Sequence, residues 1–234
     1  FKGYSVDGVP PFPATICASP NHQVVHGFPT NEPLVDGDII SIDMGLHFRG
    51  YYADHAFSTV VGSSSGKVKR LLDVTEQSLY DGIAAARAGA RIGDIGHAIQ
   101  TYAEDKGFSI VRDFCGHGLG KIFHSPPSIM HFGEPGTGPR LVEGMFFTIE
   151  PMINAGKYST KILQDGWTAV TKDRSLSAQF EHSIGVTADG FEIFTLSPNT
   201  ITVTSACDSW YASSRAVAIV LSATTSAPMV IVAK

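Results

Sequence analysis

The chain has 234 residues, enough for one large domain or two small ones and for a substantial core. Charged residues make up 17% of the chain and apolar residues 43%, a balance that excludes an intrinsically disordered protein. The net charge of −5, with one short basic cluster at Lys67, Lys69 and Arg70, argues against nucleic-acid binding, and no apolar run approaches a membrane span.

The three cysteines are too few, and odd in number, for a disulfide framework: Cys17, Cys115 and Cys207. Cysteines used in this way are typical of proteins from a reducing compartment. We therefore expect a cytoplasmic protein.

The first part of the chain predicts loops and then a hairpin. Residues 1–36 are rich in proline and glycine and predict a loop with one short strand at Thr15–Cys17. Apolar strands follow at Ile39–Met44 and Tyr51–Val61. A chain reversal between them makes a β-hairpin.

Two helices and further strands follow the hairpin. Helical spacing of apolar residues predicts a helix over Lys67–Ala88, and a second helix over Asp94–Gly107 with Asp94 as its N-cap. Three more strands are predicted: Met145–Glu150, Phe180–Val186 and Phe191–Thr195. Strands, then helices, then strands predict an α+β fold whose mostly antiparallel sheet is covered by helices.

The C-terminal residues differ in character. They are rich in Ala, Ser, Thr and Val and nearly free of charge, with apolar segments at Val217–Leu221 and Met229–Val232 that favour β-structure. We treat residues 199–234 as an unassigned tail.

Four carboxylates lie inside apolar strand-like runs, where an acidic side chain is costly unless something compensates it. They are Asp43, Asp54, Glu150 and Glu181. A two-residue hairpin loop at Phe48-Arg49 would place Asp43 directly opposite Asp54, with their Cβ atoms about 5 Å apart. Any one of these residues could instead be an exposed edge or turn charge.

A metal site explains the four carboxylates together. No Lys or Arg lies in the strand cores to neutralise them. Oxygen-rich ligands with one or two imidazoles suit a hard or borderline divalent ion. Four carboxylates exceed what one ion needs when water must also bind, whereas two ions about 3.5 to 4 Å apart would use them all.

Histidines for such a site lie in the segment from Cys115 to His124. Glycines flank His117, which predicts close backbone approach and a fixed loop rather than a helix. His124 follows seven residues later. A lone loop histidine is often only polar surface, but two in one segment favour the metal site.

These segments together resemble methionine aminopeptidase of the bacterial type I kind. The matching motifs are Asn21–Gly27, Asp43 with Asp54 eleven residues later, Cys115–Gly120 with Phe123-His124, Phe147–Met152 and Lys172–His182. The resemblance runs from Phe1 to about Pro198, and the last motif favours this family over the related prolidase and aminopeptidase P groups.

The resemblance implies a pita-bread fold with a dinuclear site for Co, Mn, Fe or Zn. Asp43 would bind one ion, His117 and Glu150 the other, and Asp54 and Glu181 would bridge both. A bridging water or hydroxide would attack the scissile carbonyl, with Glu150 as the proton carrier.

The resemblance also implies roles for residues that touch the substrate. His124 would hydrogen-bond the carbonyl oxygen as negative charge develops, and His26 would contact the scissile amide. The family-like methionine pocket is apolar and aromatic, which suits a thioether. Its residues would be Tyr4, Phe12, Cys17, Phe123 and Trp167.

The chain departs from the family at a few positions. The loop between Tyr4 and Phe12 is longer than in common members, Val25 stands where many have Cys, and Gly45 where many have Thr. The helices that usually precede this segment are expected to be missing. None of these departures removes an implied ligand.

The resemblance also implies domain bounds, a substrate and partners for the chain. Residues 1–198 form the expected catalytic domain, which would remove the N-terminal methionine from nascent polypeptides with a small second residue. The ribosome is a candidate partner, and we expect a monomer that binds neither nucleic acid nor membrane.

Two other functions are weighed against this one. Residues 62–66 fit the G-x-S-x-G pattern between a predicted strand and helix, which would make Ser64 the nucleophile of a serine hydrolase. The pattern is also that of an ordinary flexible loop. The other alternative is a non-catalytic binding module on the same fold.

Overall fold

The computed structural model describes residues 1–196, 217–221 and 229–233. The helices are α1 (Gly66–Ala85) and α2 (Ile92–Asp105). The strands are β1 (Cys17–Pro20), β2 (Gln23–Val25), β3 (Ile39–Phe48), β4 (Tyr51–Val60), β5 (Ser109–Ile110), β6 (Gly116–Gly118), β7 (Ser125–Ile129), β8 (Phe146–Ile149), β9 (Met152–Asn154), β10 (Thr160–Ile162), β11 (Ala169–Thr171), β12 (Ser177–Gln179), β13 (His182–Val186), β14 (Phe191–Ile193), β15 (Val217–Leu221) and β16 (Met229–Ala233).

Antiparallel pairing prevails throughout the sheets of the described residues. The hairpin β3–β4 carries β1 on its outer edge, and the longest sheet has the order β14-β13-β8-β6-β7. Two three-stranded sheets complete the main body, with the orders β10-β11-β2 and β12-β9-β5, while β15 and β16 pair with each other. The predicted α+β class with an antiparallel sheet is confirmed.

The hairpin register differs from the prediction. Phe48 pairs with Tyr51, so the two-residue turn is Arg49-Gly50 rather than Phe48-Arg49. Both turn residues have positive φ, 51° and 84°, which a type I′ turn requires and which glycine adopts without strain. As a result Asp43 lies opposite Ala56, and Asp54 lies opposite Gly45.

The shift in register keeps the two aspartates on one face. It displaces the partner of Asp43 by two residues, and side chains alternate faces with a period of two. Asp43 and Asp54 are therefore diagonal neighbours on the same side of the hairpin instead of a directly opposed pair.

The two helices pack together and cover the sheet. Their apolar faces join residues of β8, β9, β12 and β13 in the main core, in which Leu79, Ile83 and Ile99 are fully buried. Asp94 is not the N-cap: α2 begins at Ile92 with Arg91 as its N-cap, and the Asp94 carboxylate accepts the backbone N–H of Arg91 at 2.7 Å. A carboxylate in the first helical turn satisfies a free N–H there as an N-cap would.

The segment around His117 is a strand, not the loop that was predicted. β6 lies between β7 and β8, and a side chain at Gly116 would meet the carbonyl oxygen of Thr148. The flanking glycines permit this close packing, so the predicted close approach of the backbone is present although the segment is a strand.

The structure also bears on the predictions about membrane spans, cysteines and the C-terminal tail. Among the described residues, no helix has the length and apolar character needed to cross a membrane. Cys17 and Cys115 are free, and Cys207 lies outside the described residues. Most of the predicted tail, residues 199–234, also lies outside the described residues, which omit 197–216, 222–228 and 234.

At Gly96, helix α2 packs closely against the backbone of the segment that follows β7. A Cβ at Gly96 would lie 2.5 Å from the Phe132 carbonyl oxygen and 2.8 Å from that of Met130. Backbone cannot yield as a flexible side chain can, so we expect Gly96→Ala to lower the free energy of unfolding by about 1–3 kcal/mol in urea titrations.

The neighbouring exposed residue supplies the control. His97→Ala should change stability by less than about 0.5 kcal/mol. An unchanged urea midpoint for Gly96→Ala would contradict this description of the packing.

Candidate active site

Four carboxylates and two histidines converge where the sheets meet. Asp43 lies on β3, Asp54 on β4 and His117 on β6, whereas Glu150 directly follows β8 and Glu181 directly precedes β13. Ligand atoms lie within 4.8 Å of one another in three overlapping sets: Asp54, His117 and His124; His117, Glu150 and Glu181; and Asp43, Asp54 and Glu181. All five residues proposed as metal ligands are thus brought together.

His117 presents one ring nitrogen to the carboxylates. Its Nε2 is 3.6 Å from Asp54 Oδ2 and 3.6 Å from Glu150 Oε1. Its Nδ1 lies 3.1 Å from the Gly118 carbonyl oxygen, which can only accept. The proton therefore belongs on Nδ1, and the lone pair of Nε2 is directed at the site, as in metal-ligating histidines.

Burial and mutual repulsion make the charged forms of the carboxylates unfavourable. Burial raises the pKa of Asp54 to about 7 and that of Glu150 to about 8. The pKa values of Asp43 and Glu181 are raised well above their usual range, first by burial and then by the neighbouring carboxylates. No Lys or Arg is among the cavity-lining residues that the structure describes.

The residues fit a bound divalent cation. Within the described part of the chain, three buried carboxylate oxygens have no hydrogen-bond donor: Asp43 Oδ1, Asp54 Oδ1 and Glu181 Oε1. Buried acceptors are normally satisfied, so an unpartnered set of this kind indicates a missing positive partner. Carboxylate oxygens with one imidazole suit a hard or borderline ion.

Thr148 connects two of these ligands and was not predicted. It is fully buried, its Oγ1 accepts the His117 backbone N–H at 3.0 Å, and its hydroxyl donates to Glu150 Oε1 at 2.8 Å. In an extended chain, a polar residue two positions before Glu150 shares its face, and this is the sequence signal that could have identified Thr148.

Two further residues that contact Glu150, His131 and Gln179, were not predicted from the sequence. The Glu150 backbone N–H donates to Nε2 of the buried His131 at 3.1 Å, and burial lowers the pKa of His131 to about 3. Gln179 Nε2 approaches Glu150 Oε2 at 3.4 Å. An imidazole kept neutral can accept this N–H, but no local sequence pattern links residue 131 to residue 150.

Ser183 joins the strands that carry Asp54 and Glu181. Its Oγ accepts the Asp54 backbone N–H at 3.0 Å and donates to the Asp54 carbonyl oxygen at 2.7 Å. The Glu181 backbone N–H donates to the Ala56 carbonyl oxygen at 2.8 Å. These contacts fix β4 against β13 although the two strands are distant in sequence.

A cavity of about 400 Å³ opens onto the carboxylates. Of the expected pocket residues, Tyr4, Phe12, Cys17 and Trp167 line it, as do the two histidines His26 and His124. Phe12 packs edge-on against Trp167 with ring centroids 5.3 Å apart. Besides the five proposed ligands, the cavity is lined by residues that were not assigned to the pocket from the sequence: Phe1, Val6, Val25, Asp113, Phe114, Cys115 and Met152.

His26 is held in an uncommon backbone conformation. Its φ is 60°, in the left-handed region that residues other than glycine rarely adopt. The adjacent Gly27 is packed so closely that a Cβ there would lie 2.6 Å from the Ala18 carbonyl oxygen. Strain of this kind is commonly found at functional positions.

Phe123 lies beside the cavity rather than in it. A second groove of about 350 Å³ has nine lining residues: Phe1, Lys2, Gly3, Tyr4, Gly45, Leu46, His47, Tyr52 and Phe123. The Phe123 ring packs against that of His124 with centroids 4.3 Å apart. Phe123 therefore lines the groove, and it contacts the cavity through the ring of His124.

Ser64 is in no position to serve as a nucleophile in this cavity. It is exposed in the loop between β4 and α1 and does not line the cavity, and its neighbour Ser65 caps α1 by accepting the Val68 N–H. The G-x-S-x-G pattern here is that of a strand-to-helix loop with an N-cap.

Sequence comparison relates the chain to metal-dependent peptidases. The profile of metallopeptidase family M24 matches residues 3–188. A methionine aminopeptidase of Rickettsia prowazekii (strain Madrid E) is 56% identical over 188 residues, which are 80% of this chain and 73% of that protein. Methionine aminopeptidase 1 of Bacillus subtilis (strain 168) is 49% identical over 195 residues, which are 83% and 77% of the two chains.

Solved structures agree with the sequence relatives. The crystal structure of methionine aminopeptidase from Rickettsia prowazekii superposes with a TM-score of 0.77 at 55% identity, covering 77% of this chain and 73% of that one. The prolidase from Pyrococcus furiosus gives a TM-score of 0.62 at 21% identity and covers 79% and 50%, a likeness of fold alone. The pita-bread fold is thereby confirmed.

Thr148 supplies a test of the metal site. Thr148→Val removes the acceptor for His117 and the donor to Glu150, so we expect the dissociation constant for Mn²⁺ to rise by about 10- to 100-fold. Thr148→Ser keeps the hydroxyl and should bind Mn²⁺ nearly as the parent does. Calorimetric titration of the chelator-treated proteins measures both, and equal affinity for the two variants would contradict the assignment.

Proposed function

The chain belongs to metallopeptidase family M24 and, within it, to the methionine aminopeptidases, and we propose that it removes the N-terminal methionine from nascent peptides with a small second residue. The observation that carries this proposal is the convergence of five ligands, with unpartnered buried carboxylate oxygens, at the floor of an apolar and aromatic cavity.

The donor set favours two divalent ions, drawn from Co, Mn, Fe or Zn. Asp43 would hold one ion, His117 and Glu150 the other, and Asp54 and Glu181 would bridge them. The overlapping ligand sets support this division because Glu181 is grouped both with Asp43 and with His117 and Glu150, and Asp54 is grouped both with Asp43 and with His117. His117 also belongs to two sets, but an imidazole directs one lone pair at the site and does not bridge. Bound ions would lower the pKa of a shared water so that it attacks as hydroxide, and would polarise the scissile carbonyl.

Glu150 is the proposed proton carrier. Its carboxylate borders the cavity, and the Thr148 hydroxyl fixes its orientation by donating to Oε1 at 2.8 Å. From there it would take a proton from the attacking water and deliver it to the departing amine.

His124 would act on the developing oxyanion. Its ring centroid is 4.2 Å from that of His117, and burial together with His117 lowers its pKa to about 4. At neutral pH its imidazole is therefore uncharged, with one N–H that can donate to the carbonyl oxygen. His26, across the same cavity, would contact the scissile amide.

The methionine side chain would lie against Phe12, Cys17 and Trp167, which form one buried apolar cluster. The Trp167 indole N–H donates to the Pro10 carbonyl oxygen at 2.6 Å, so the ring is fixed in place. A thioether makes favourable contacts with aromatic rings. With Tyr4, His26 and His124 also lining the cavity, a small second residue would fit best.

Several further properties of the protein remain predictions. We infer that residues 1–198 form the catalytic unit, which the profile match to residues 3–188 supports. Binding to the ribosome, a monomeric state and a cytoplasmic location stay predictions, as does the exact choice of metal. A non-catalytic module is disfavoured because every proposed ligand is present.

Hydrolysis of Met-Ala-Ser tests the proposal directly. Protein treated with a chelator should release little methionine, and added Co²⁺ or Mn²⁺ should restore release. Glu150→Ala should abolish turnover, because it removes a ligand and the proton carrier, whereas Ser64→Ala should retain it. Chelator-resistant activity that Ser64→Ala abolishes would favour the serine hydrolase, and a folded, metal-loaded but inactive protein would favour the binding module.

His124→Ala separates transition-state stabilisation from metal binding. Loss of one oxyanion donor should lower kcat by about 100- to 1,000-fold, while affinity for Mn²⁺ should change far less. Steady-state kinetics and metal titration on the same preparation give the two numbers. A collapse of metal affinity would show that His124 is a ligand instead.

A further inference from the structure

The face of the hairpin that carries Asp43 and Asp54 continues beyond them. The register places Gly45 opposite Asp54 and His47 opposite Tyr52, and side chains on this face recur every second residue. His47 and Tyr52 are thus the next pair outward on the same face as the proposed ligands.

This outer part of the face forms the floor of the second groove. Gly45, His47 and Tyr52 line the groove, and Tyr4 lines both the groove and the catalytic cavity. The two spaces therefore share a wall. A peptide whose first residue fills the cavity has this groove as a continuous path for the residues that follow.

Gly45 makes room for the aromatic side of the groove. A Cβ at this position would lie 2.7 Å from Phe123 Cζ, so the Phe123 ring occupies space that a side chain would fill. Phe123 stacks on Tyr52 with centroids 5.1 Å apart at 23°, and Tyr52 stacks on His47 at 4.4 Å and 27°. The rings form a ladder that leads outward from the site.

Strand geometry relates this ladder to positions in a substrate. Two residues of a strand span about 6.7 Å, so the His47–Tyr52 pair lies about that far beyond Asp54. Two residues of an extended peptide cover the same distance. If the scissile carbonyl is held at the level of Asp54, the second residue after the scissile bond reaches the level of the pair.

We propose that this groove holds the third residue of the peptide substrate and that the stacked His47–Tyr52 pair favours an aromatic side chain there. The inference rests on the proposed function, since it places the substrate by its scissile bond. Aromatic pairs add attraction beyond the burial of their area, and the His47 ring is exposed to receive a partner.

Peptides that differ at single positions test the proposal. On the metal-loaded protein, kcat/KM for Met-Ala-Phe-Ser should exceed that for Met-Ala-Gly-Ser by about three- to tenfold, the range expected for one aromatic contact. Moving the ring one residue, in Met-Ala-Gly-Phe, should lose most of this gain. No gain with Phe at the third position, or an equal gain at the fourth, would overturn the inference.

Variants of His47, Tyr52 and the neighbouring Tyr51 show which side chains cause the difference in kcat/KM. Tyr52→Leu and His47→Ala should bring the ratio of kcat/KM values close to one, and Tyr52→Phe should keep it because the ring is retained. Tyr51→Ala is the matched control: its side chain is 57% exposed on the opposite face of the same strand, and the ratio should not change.

The outcomes separate this inference from the proposed function. If Met-Ala-Gly-Ser is not hydrolysed in the presence of metal, the proposed function fails. If it is hydrolysed but the ratio is near one, or the ratio survives in both Tyr52→Leu and His47→Ala, the function stands and the groove assignment is wrong.

Discussion

The rest of the structure depends on one constraint: four carboxylates are buried at one point, and no Lys or Arg among the described cavity-lining residues balances them. Two unit charges about 4 Å apart repel by about 4 kcal/mol at an effective dielectric constant of about 20. A few such pairs would equal the whole net stability of a domain, about 5–15 kcal/mol. The site must therefore be protonated or hold cations, and the raised pKa values of Asp54 and Glu150 express the same conflict.

The surrounding fold serves to hold these groups in spite of their repulsion. Ser183 fixes β4 against β13, Thr148 connects His117 with Glu150, and His131 accepts the backbone N–H of Glu150. Helix α2 in turn packs against the backbone on either side of His131 through Gly96. The positions of Asp54, His117 and Glu150 thus depend on contacts between segments that are far apart in sequence.

This dependence explains what the sequence could and could not predict. An acidic residue inside an apolar strand is visible locally, so the carboxylates and the antiparallel α+β fold were predicted. The hairpin register was not, because it is set by positive φ at Arg49 and Gly50, yet the error of two residues preserved the shared face of Asp43 and Asp54. His131 was not predicted because its role depends on a tertiary contact with Glu150 alone, whereas Thr148, two residues before Glu150, had a local signal that was not used.

Anomalous diffraction at the Mn absorption edge, from crystals soaked in MnCl₂, tests the proposed dinuclear site most directly. We expect two peaks about 3.5–4 Å apart, with Asp54 and Glu181 lying between them, His117 beside one peak and Asp43 beside the other. No peak among these carboxylates, or Mn²⁺ bound only elsewhere on the protein, would contradict it.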